Sequence, residues 1–296
     1  MTIAEGMKET DQMRLSDVTA LVRPIDPNYP TNRAIAALTI VIIGGGTAVQ
    51  LLMGTAWLQS IQWGVGAGLS VFLAWALARE LDPDHDLSAF WGAGLMLIGL
   101  FFFDLPSLLM LLWLLIVLRI LNRTSGLSAR VLDSLALLVL GGWLTWQGQW
   151  VAGLMTTVAF GLDGWLVAPL KRHRFFSGLA LVATVTLAVF NGNIAMESGP
   201  SLPTVAAAVV ISGLFVLVIL AAREIESVGD KTGERLNPRR VQAGQIVALV
   251  AALLAAGWEG KLGVVALLPL WAATFGAALY QLGLLAGTWR APGVSQ

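Results

Sequence analysis

The chain holds 296 residues, of which 57% are hydrophobic and only 12% charged, with 18 basic and 18 acidic side chains and a mean hydropathy of +0.78. A water-facing surface needs about 25% charged residues, so a soluble enzyme and a nucleic-acid binder are excluded, and the formal net charge of zero argues against a strongly polyionic partner. With no cysteine and two histidines, His85 and His173, disulfides, thiolate metal sites and cysteine nucleophiles are excluded and a histidine-rich metal site has little to draw on.

Residues 1–33 mix five acids (Glu5, Glu9, Asp11, Asp17, Asp26) with four bases (Lys8, Arg14, Arg23, Arg33). They lack the apolar stretch behind a basic start that marks a cleavable signal peptide. Met13, Leu15, Val18, Leu21 and Val22 predict one apolar stripe of a short helix lying on the membrane. Pro24, Pro27 and Pro30 then enforce an extended linker.

About 20 residues cross the hydrocarbon core of a bilayer. Apolar segments of that order lie near 34–54, 58–78, 88–103, 105–121, 131–147, 150–170, 175–191, 203–222, 241–257 and 262–286. They predict an all-α, polytopic integral membrane bundle of about ten transmembrane helices. Between the third and fourth, Pro106 suits the first turn of a new helix and Asp104 its cap.

Charge tests this count, because short loops on the cytoplasmic side retain Lys and Arg. Lys8, Arg14, Arg23, Arg33, Arg79, Arg119, Arg123, Arg130, Lys171, Arg172, Arg174, Arg223, Lys231, Arg235, Arg239, Arg240 and Arg290 fall on one side, and Lys261 alone on the other. Both termini are thereby expected in the cytoplasm, with the chain in the cytoplasmic (inner) membrane. The expected organisation is a cytoplasmic segment 1–33, a transmembrane domain 34–287 and a tail 288–296. Trp57, Trp63, Trp146, Trp150 and Trp258 mark the outer turns as interfacial anchors.

Aligned without a gap, residues 79–95 and 119–135 share six identities in seventeen: Arg79/Arg119, Leu81/Leu121, Leu87/Leu127, Ser88/Ser128, Ala89/Ala129 and Leu95/Leu135. The period of 40 residues predicts five tandem helical hairpins in one orientation. In each joint an Arg is expected to complement the C-terminal dipole of the descending helix, with Ser88 or Ser128 capping the next.

Chemistry is sought where these repeated joints differ. Asp82, Asp84 and Asp86 stand alternately in a Pro-stiffened loop, a pattern able to share one Mg²⁺. Arg123, Lys171, Arg172, Arg174 and Lys231, placed on the same side, supply charge for an anionic headgroup, although attraction to anionic lipid explains basic loops equally. The loops 122–126 and 228–233 are small and glycine-ended, but their spacing does not fit a phosphate-cradling G-x-x-x-x-G-K-[ST] loop. Asp163 is the best functional candidate, because an ionisable group two turns into an apolar segment is costly to insert; Asp133 is weaker. Gly44–46 and the pair Gly64 and Gly68 predict close helix approach.

Ten spans in about 300 residues resemble, in size and topology, the drug and metabolite exporters of the ten-span class. A parallel array of hairpins departs from their inverted halves. Membrane prenyltransferases place Asp-rich loops on the cytoplasmic side, but they require two Asp-x-x-x-Asp elements, and here only residues 82–86 are dense in Asp. The expected function is binding or transport of an amphipathic anionic small molecule or lipid. The alternatives are a non-catalytic membrane assembly partner of another membrane protein and a Mg-dependent enzyme acting on a phosphate- or diphosphate-bearing lipid.

Overall fold

A computed structural model describes residues 19–21, 23, 26–191 and 199–288. The surface helix expected around Met13, Leu15, Val18 and Val22 lies outside the described residues, as do Lys8, Arg14, Arg290 and the tail beyond residue 288. Among the described residues the fold is helical, with one isolated β-bridge between Val228 and Arg235. In chain order the helices are α1 Pro30–Leu52, α2 Trp57–Leu81, α3 Asp86–Gly99, α4 Leu108–Asn122, α5 Val131–Trp146, α6 Trp150–Asp163, α7 Arg172–Asn191, α8 Leu202–Ala221, α9 Pro238–Trp258, α10 Gly260–Ala266 and α11 Leu268–Leu285.

Six of these, α1, α2, α7, α8, α9 and α11, are long and apolar enough to cross a membrane. Helices α3 to α6 are apolar but only 14 to 16 residues long. Hydrocarbon offers backbone groups no partners, so an apolar chain satisfies them within helices. This helical, apolar-rich fold is that of an integral membrane protein.

Three expected boundaries are corrected. The segment 262–286 is two helices: Pro269 sits in the first turn of α11, where its missing N–H is harmless, and α10 stops before it. Helix α4 begins after Pro106, and its cap is Ser107, whose Oγ accepts from Met110 N at 3.4 Å, leaving Asp104 exposed. Ser88 and Ser128 cap nothing. Ser88 lies inside α3 and donates back to His85 O, Ser128 is three residues before α5, and the residues at the two N-caps are His85 and Arg130. Arg79 and Arg119 do lie in the last turns of α2 and α4.

The chain forms two compact units, and α4 and α9 each contribute to both. One comprises, among the described residues, 26–115, 199–225 and 248–288. Here residues 53–56 return α1 onto α2, with Gly54 at φ 83° in the turn. Packing is through glycine: a Cβ on Gly64 would come within 2.6 Å of Ile43 O, and one on Gly68 within 3.0 Å of Thr39 O. In lipid, helices gain nothing from hiding Leu from water, so close backbone approach is what drives association. Of the apolar stretch of α1 only 6% is buried against 61% for α2, so α1 is an outer helix and α2 an inner one. Helix α11 packs on α2, α3 and α8. At its crossing with α3, a Cβ on Gly276 would lie 2.5 Å from Gly92 N.

The other unit comprises, among the described residues, 19–21, 23, 116–191 and 226–247. A turn at 147–149, with Gly148 at φ 91°, joins α5 to α6, and both pack on α7. Phe160 of α6 is fully buried, its ring 4.9 Å from that of His173 and edge-on to it. The C-terminal end of α4 and the N-terminal end of α9 complete the unit, and the candidate site lies among these helix ends.

Candidate functional site: a buried carboxylate with three basic partners

Asp163 is the last residue of α6 and is completely buried. A carboxylate there is disfavoured twice, by desolvation and by the negative end of its own helix dipole. The surrounding residues answer both. Arg123, immediately after α4, donates through Nη2 to Asp163 Oδ1 at 3.0 Å. Arg240, in the first turn of α9, donates through Nη1 to the same oxygen at 2.7 Å. His173, second residue of α7, holds Nδ1 at 2.8 Å from Asp163 Oδ2, at ion-pair distance but off hydrogen-bond alignment. The far nitrogen of that ring, Nε2, lies 2.8 Å from the Oγ of Ser134, in the first turns of α5.

The two arginines play unequal parts. Arg240 is fully engaged: Nε and Nη2 donate to Val167 O at 3.0 and 2.8 Å, and Nη1 also reaches Leu121 O at 3.0 Å. It binds carbonyls at the ends of α4 and beyond α6, where unpaired C=O groups and the dipole favour a cation. The Arg123 side chain makes one hydrogen bond, through Nη2, and its Nε is buried without a hydrogen-bond partner. Its backbone lies in the left-handed region at φ 55°, where a non-glycine side chain is strained.

The loop after Arg123 is locked in place by another. Asp230 N donates to Thr124 O and Lys231 N to Ser125 O, at 3.2 and 3.1 Å. The approach is close enough that a Cβ on Gly229 would lie 2.6 Å from Gly126 Cα. The two glycine-ended loops singled out in the sequence therefore form one paired structure.

The remaining basic candidates sit around this cluster in different states. Lys171 and Lys231 are exposed. Arg172 donates to Ala129 O, and Arg174 donates to Gly164 O at 3.0 Å while stacking 3.9 Å over the Trp165 ring. Asp133 serves structure: its Oδ2 accepts from Arg130 N at 2.7 Å and from Ala20 N at 3.0 Å, and its Oδ1 from the Thr19 hydroxyl. Arg119 Nη1 donates to Leu21 O at 2.9 Å, so residues 19–21 are held at two points.

In the other unit, the Asp-rich loop is divided among neighbours. Asp82 is buried, with Oδ1 2.8 Å from His85 Nδ1 and Oδ2 without a partner; Asp86 pairs with Arg79; Asp84 is half-buried. Among the described residues no three His, Asp or Glu side chains are gathered as a metal-ligand set. Burial works against a charge on His85, but its hydrogen bond to Asp82 and the charges of Asp82 and Asp84 outweigh it, so its pKa is raised from 6.5. The Tyr280 ring lies 5.3 Å from the His85 ring.

Of the candidates singled out in the sequence, Asp163 and Arg123 are brought together here, whereas His173, Arg240 and Ser134 were not singled out. Two signals were available: His173 sits among Lys171, Arg172 and Arg174, and Arg240 begins an apolar segment with its charge turned inward. Ser134 offers none. Compared with protein families, curated proteins and solved structures, the chain matches none.

Proposed function

We propose that this chain is a multi-pass protein of the cytoplasmic membrane, with both termini in the cytoplasm, that binds an amphipathic anion, a lipid or lipid-like molecule, at the basic helix ends around Asp163 and carries it across or presents it to a partner. The observation that supports this most is Arg123. A strained, largely buried guanidinium keeps a buried N–H unpaired and shares its single carboxylate with another arginine. Two guanidiniums against one carboxylate leave positive charge unneutralised in a poorly solvated place, and an anionic headgroup is the group that completes it. Exposed Lys171 and Lys231 add attraction for anionic lipid, about 1 kcal/mol per residue near a membrane surface.

The test is native mass spectrometry of the full chain from mild detergent, offered short-chain phosphatidylglycerol and, in parallel, the zwitterionic phosphatidylcholine of the same length. Retention of the anionic lipid by wild type, with at least tenfold less retained by Arg123→Gln, supports the reading; equal retention of both lipids by both proteins refutes it. The topology has its own test, since the chain has no cysteine. Ser128→Cys should react with an impermeant maleimide only after the membrane is opened, and Lys261→Cys in intact cells. The reverse pattern overturns the orientation.

A further inference from the structure

The contacts of Ser134 and His173 define two hydrogen-bonded states of one cluster. Ser134 Oγ has a single hydrogen and two neighbours that can take it, His173 Nε2 at 2.8 Å and Arg130 O at 3.0 Å. With the imidazole neutral and Nδ1–H turned to Asp163, the hydroxyl donates to Nε2, and Arg130 O keeps its bond from Ser134 N. With the imidazole protonated, Nε2–H donates to Ser134 Oγ and the hydroxyl turns to Arg130 O. Neither state leaves an unpaired group on Ser134, although all three side chains of the relay are fully buried. Histidine is the side chain whose charge changes near neutral pH.

The charge on His173 bears directly on Arg123. The groups facing the imidazole are Asp163 and the Phe160 ring from α6, Ser134 from α5, Phe176 on its own helix, and Arg123 and Arg240 across the shared carboxylate. Arg172 and Arg174, its sequence neighbours, are occupied by Ala129 O and Gly164 O. A proton on His173 places a third positive charge around one carboxylate. Arg240 is fixed by two carbonyls besides Asp163, whereas Arg123 has Asp163 alone and a strained backbone to relieve.

We infer that anion binding at Arg123 is proton-linked: protonation of His173 gives Asp163 a cationic partner at Oδ2 and releases the Arg123 guanidinium to the ligand. This rests on the reading of the cluster as an anion site and names how that site is regulated. By linkage the coupling is reciprocal, so the bound anion favours the imidazolium. Ser134, Asp163 and His173 are then positioning residues, and Arg123 the binding one.

The experiment uses the full chain in zwitterionic detergent and a fluorophore-labelled short-chain phosphatidylglycerol, whose phosphodiester keeps its charge from pH 5.5 to 8.0. Binding is read by anisotropy. Wild type should bind at least fivefold more tightly at pH 5.5 than at pH 8.0, the lower end of ordinary coupling energies. His173→Gln should bind equally at both, and Arg123→Gln weakly at both. Equal wild-type affinity at the two pH values overturns the linkage while leaving the anion site standing; no binding at either pH overturns the anion site, and the linkage with it. A ¹⁵N-histidine spectrum of His85→Gln, which leaves one histidine, guards against misfolding of the His173 variant: ring-nitrogen shifts of His173 identical at the two pH values refute the proposal.

Discussion

Replacing Asp163 by Asn tests whether the buried carboxylate is what holds the helix ends of its unit together. The substitution preserves shape and one acceptor oxygen but removes the charge opposite Arg123, Arg240 and His173. Breaking a buried ion pair by neutralising one partner costs about 3–5 kcal/mol, chiefly because the other charge stays buried and unpaired. Arg240 is that charge here, being 3% exposed, while Arg123, 13% exposed at its side chain, can turn partly outward. At about 2–4 °C per kcal/mol for a chain of this size, Asp163→Asn should lower the apparent melting temperature by about 10 °C. Scanning fluorimetry in detergent, using the twelve tryptophans, measures it, with exposed Lys171→Ala as the control expected within about 0.5 kcal/mol of wild type. A second variant, Asp163→Asn with Arg123→Gln, removes one orphaned cation and should recover part of the loss. If Asp163→Asn melts within 1 °C of wild type, on the order of the assay's own scatter, the carboxylate carries no such load and the account of the cluster fails.

Other residues make separate predictions. Gly276→Val forces a side chain onto the Gly92 backbone and should destabilise by about 1–3 kcal/mol or more, seen as a lower melting temperature, whereas Gly44→Ala, facing open space, should leave it unchanged. Asp133→Ala removes the N-terminal partner of α5 and the anchor of Thr19 and Ala20. It should cost about 1 kcal/mol and speed proteolytic cleavage before Pro30. His85, with its pKa raised from 6.5 chiefly against burial by Asp82, contributes stability that is complete below 6.5 and lost as the pH rises through its folded value. Wild type should therefore lose melting temperature over that interval, and His85→Gln should lose less; parallel profiles for the two proteins exclude His85 as the cause.

The apolar runs were legible because length and hydropathy are local: each of the ten predicted segments overlaps a helix. Their ends were less so. Ser107 rather than Asp104 caps α4, and α10 and α11 divide beside Pro269, a break that hydropathy alone does not mark. Close approach at Gly64 and Gly68 was readable from spacing, but Gly92 and Gly276, from distant parts of the chain, were not. The site divides the same way. Asp163 stands out as a lone charge in an apolar stretch, whereas its pairing with Arg123, 40 residues away, and with Arg240, 77 away, shows only in the contacts between helices. The repeated Arg79 and Arg119 illustrate the converse: equivalent positions at helix ends, yet one pairs with Asp86 and the other holds Leu21 O.

A chain this poor in charge has two ways to stabilise helix ends, capping by hydroxyls and backbone or pairing of ions. The described joints show how far each goes. Ser107, and Asp133 with Arg130 N, do the first at α4 and α5, at about 1 kcal/mol each. The ends of α4, α6, α7 and α9 instead share one carboxylate among two arginines and a histidine. For stability alone this is a poor choice, since a buried ion pair is often no better than packed apolar side chains of the same volume. Nor does stability require the unpaired Nε of Arg123, which costs energy without adding a contact. Arg240 by itself would neutralise Asp163 and tie the carbonyls of Leu121 and Val167. In the proposed reading, what Arg123 adds is a cation whose hold on the carboxylate is exchanged for another anion, and that surplus is the reason to look for a ligand here rather than at the exposed lysines.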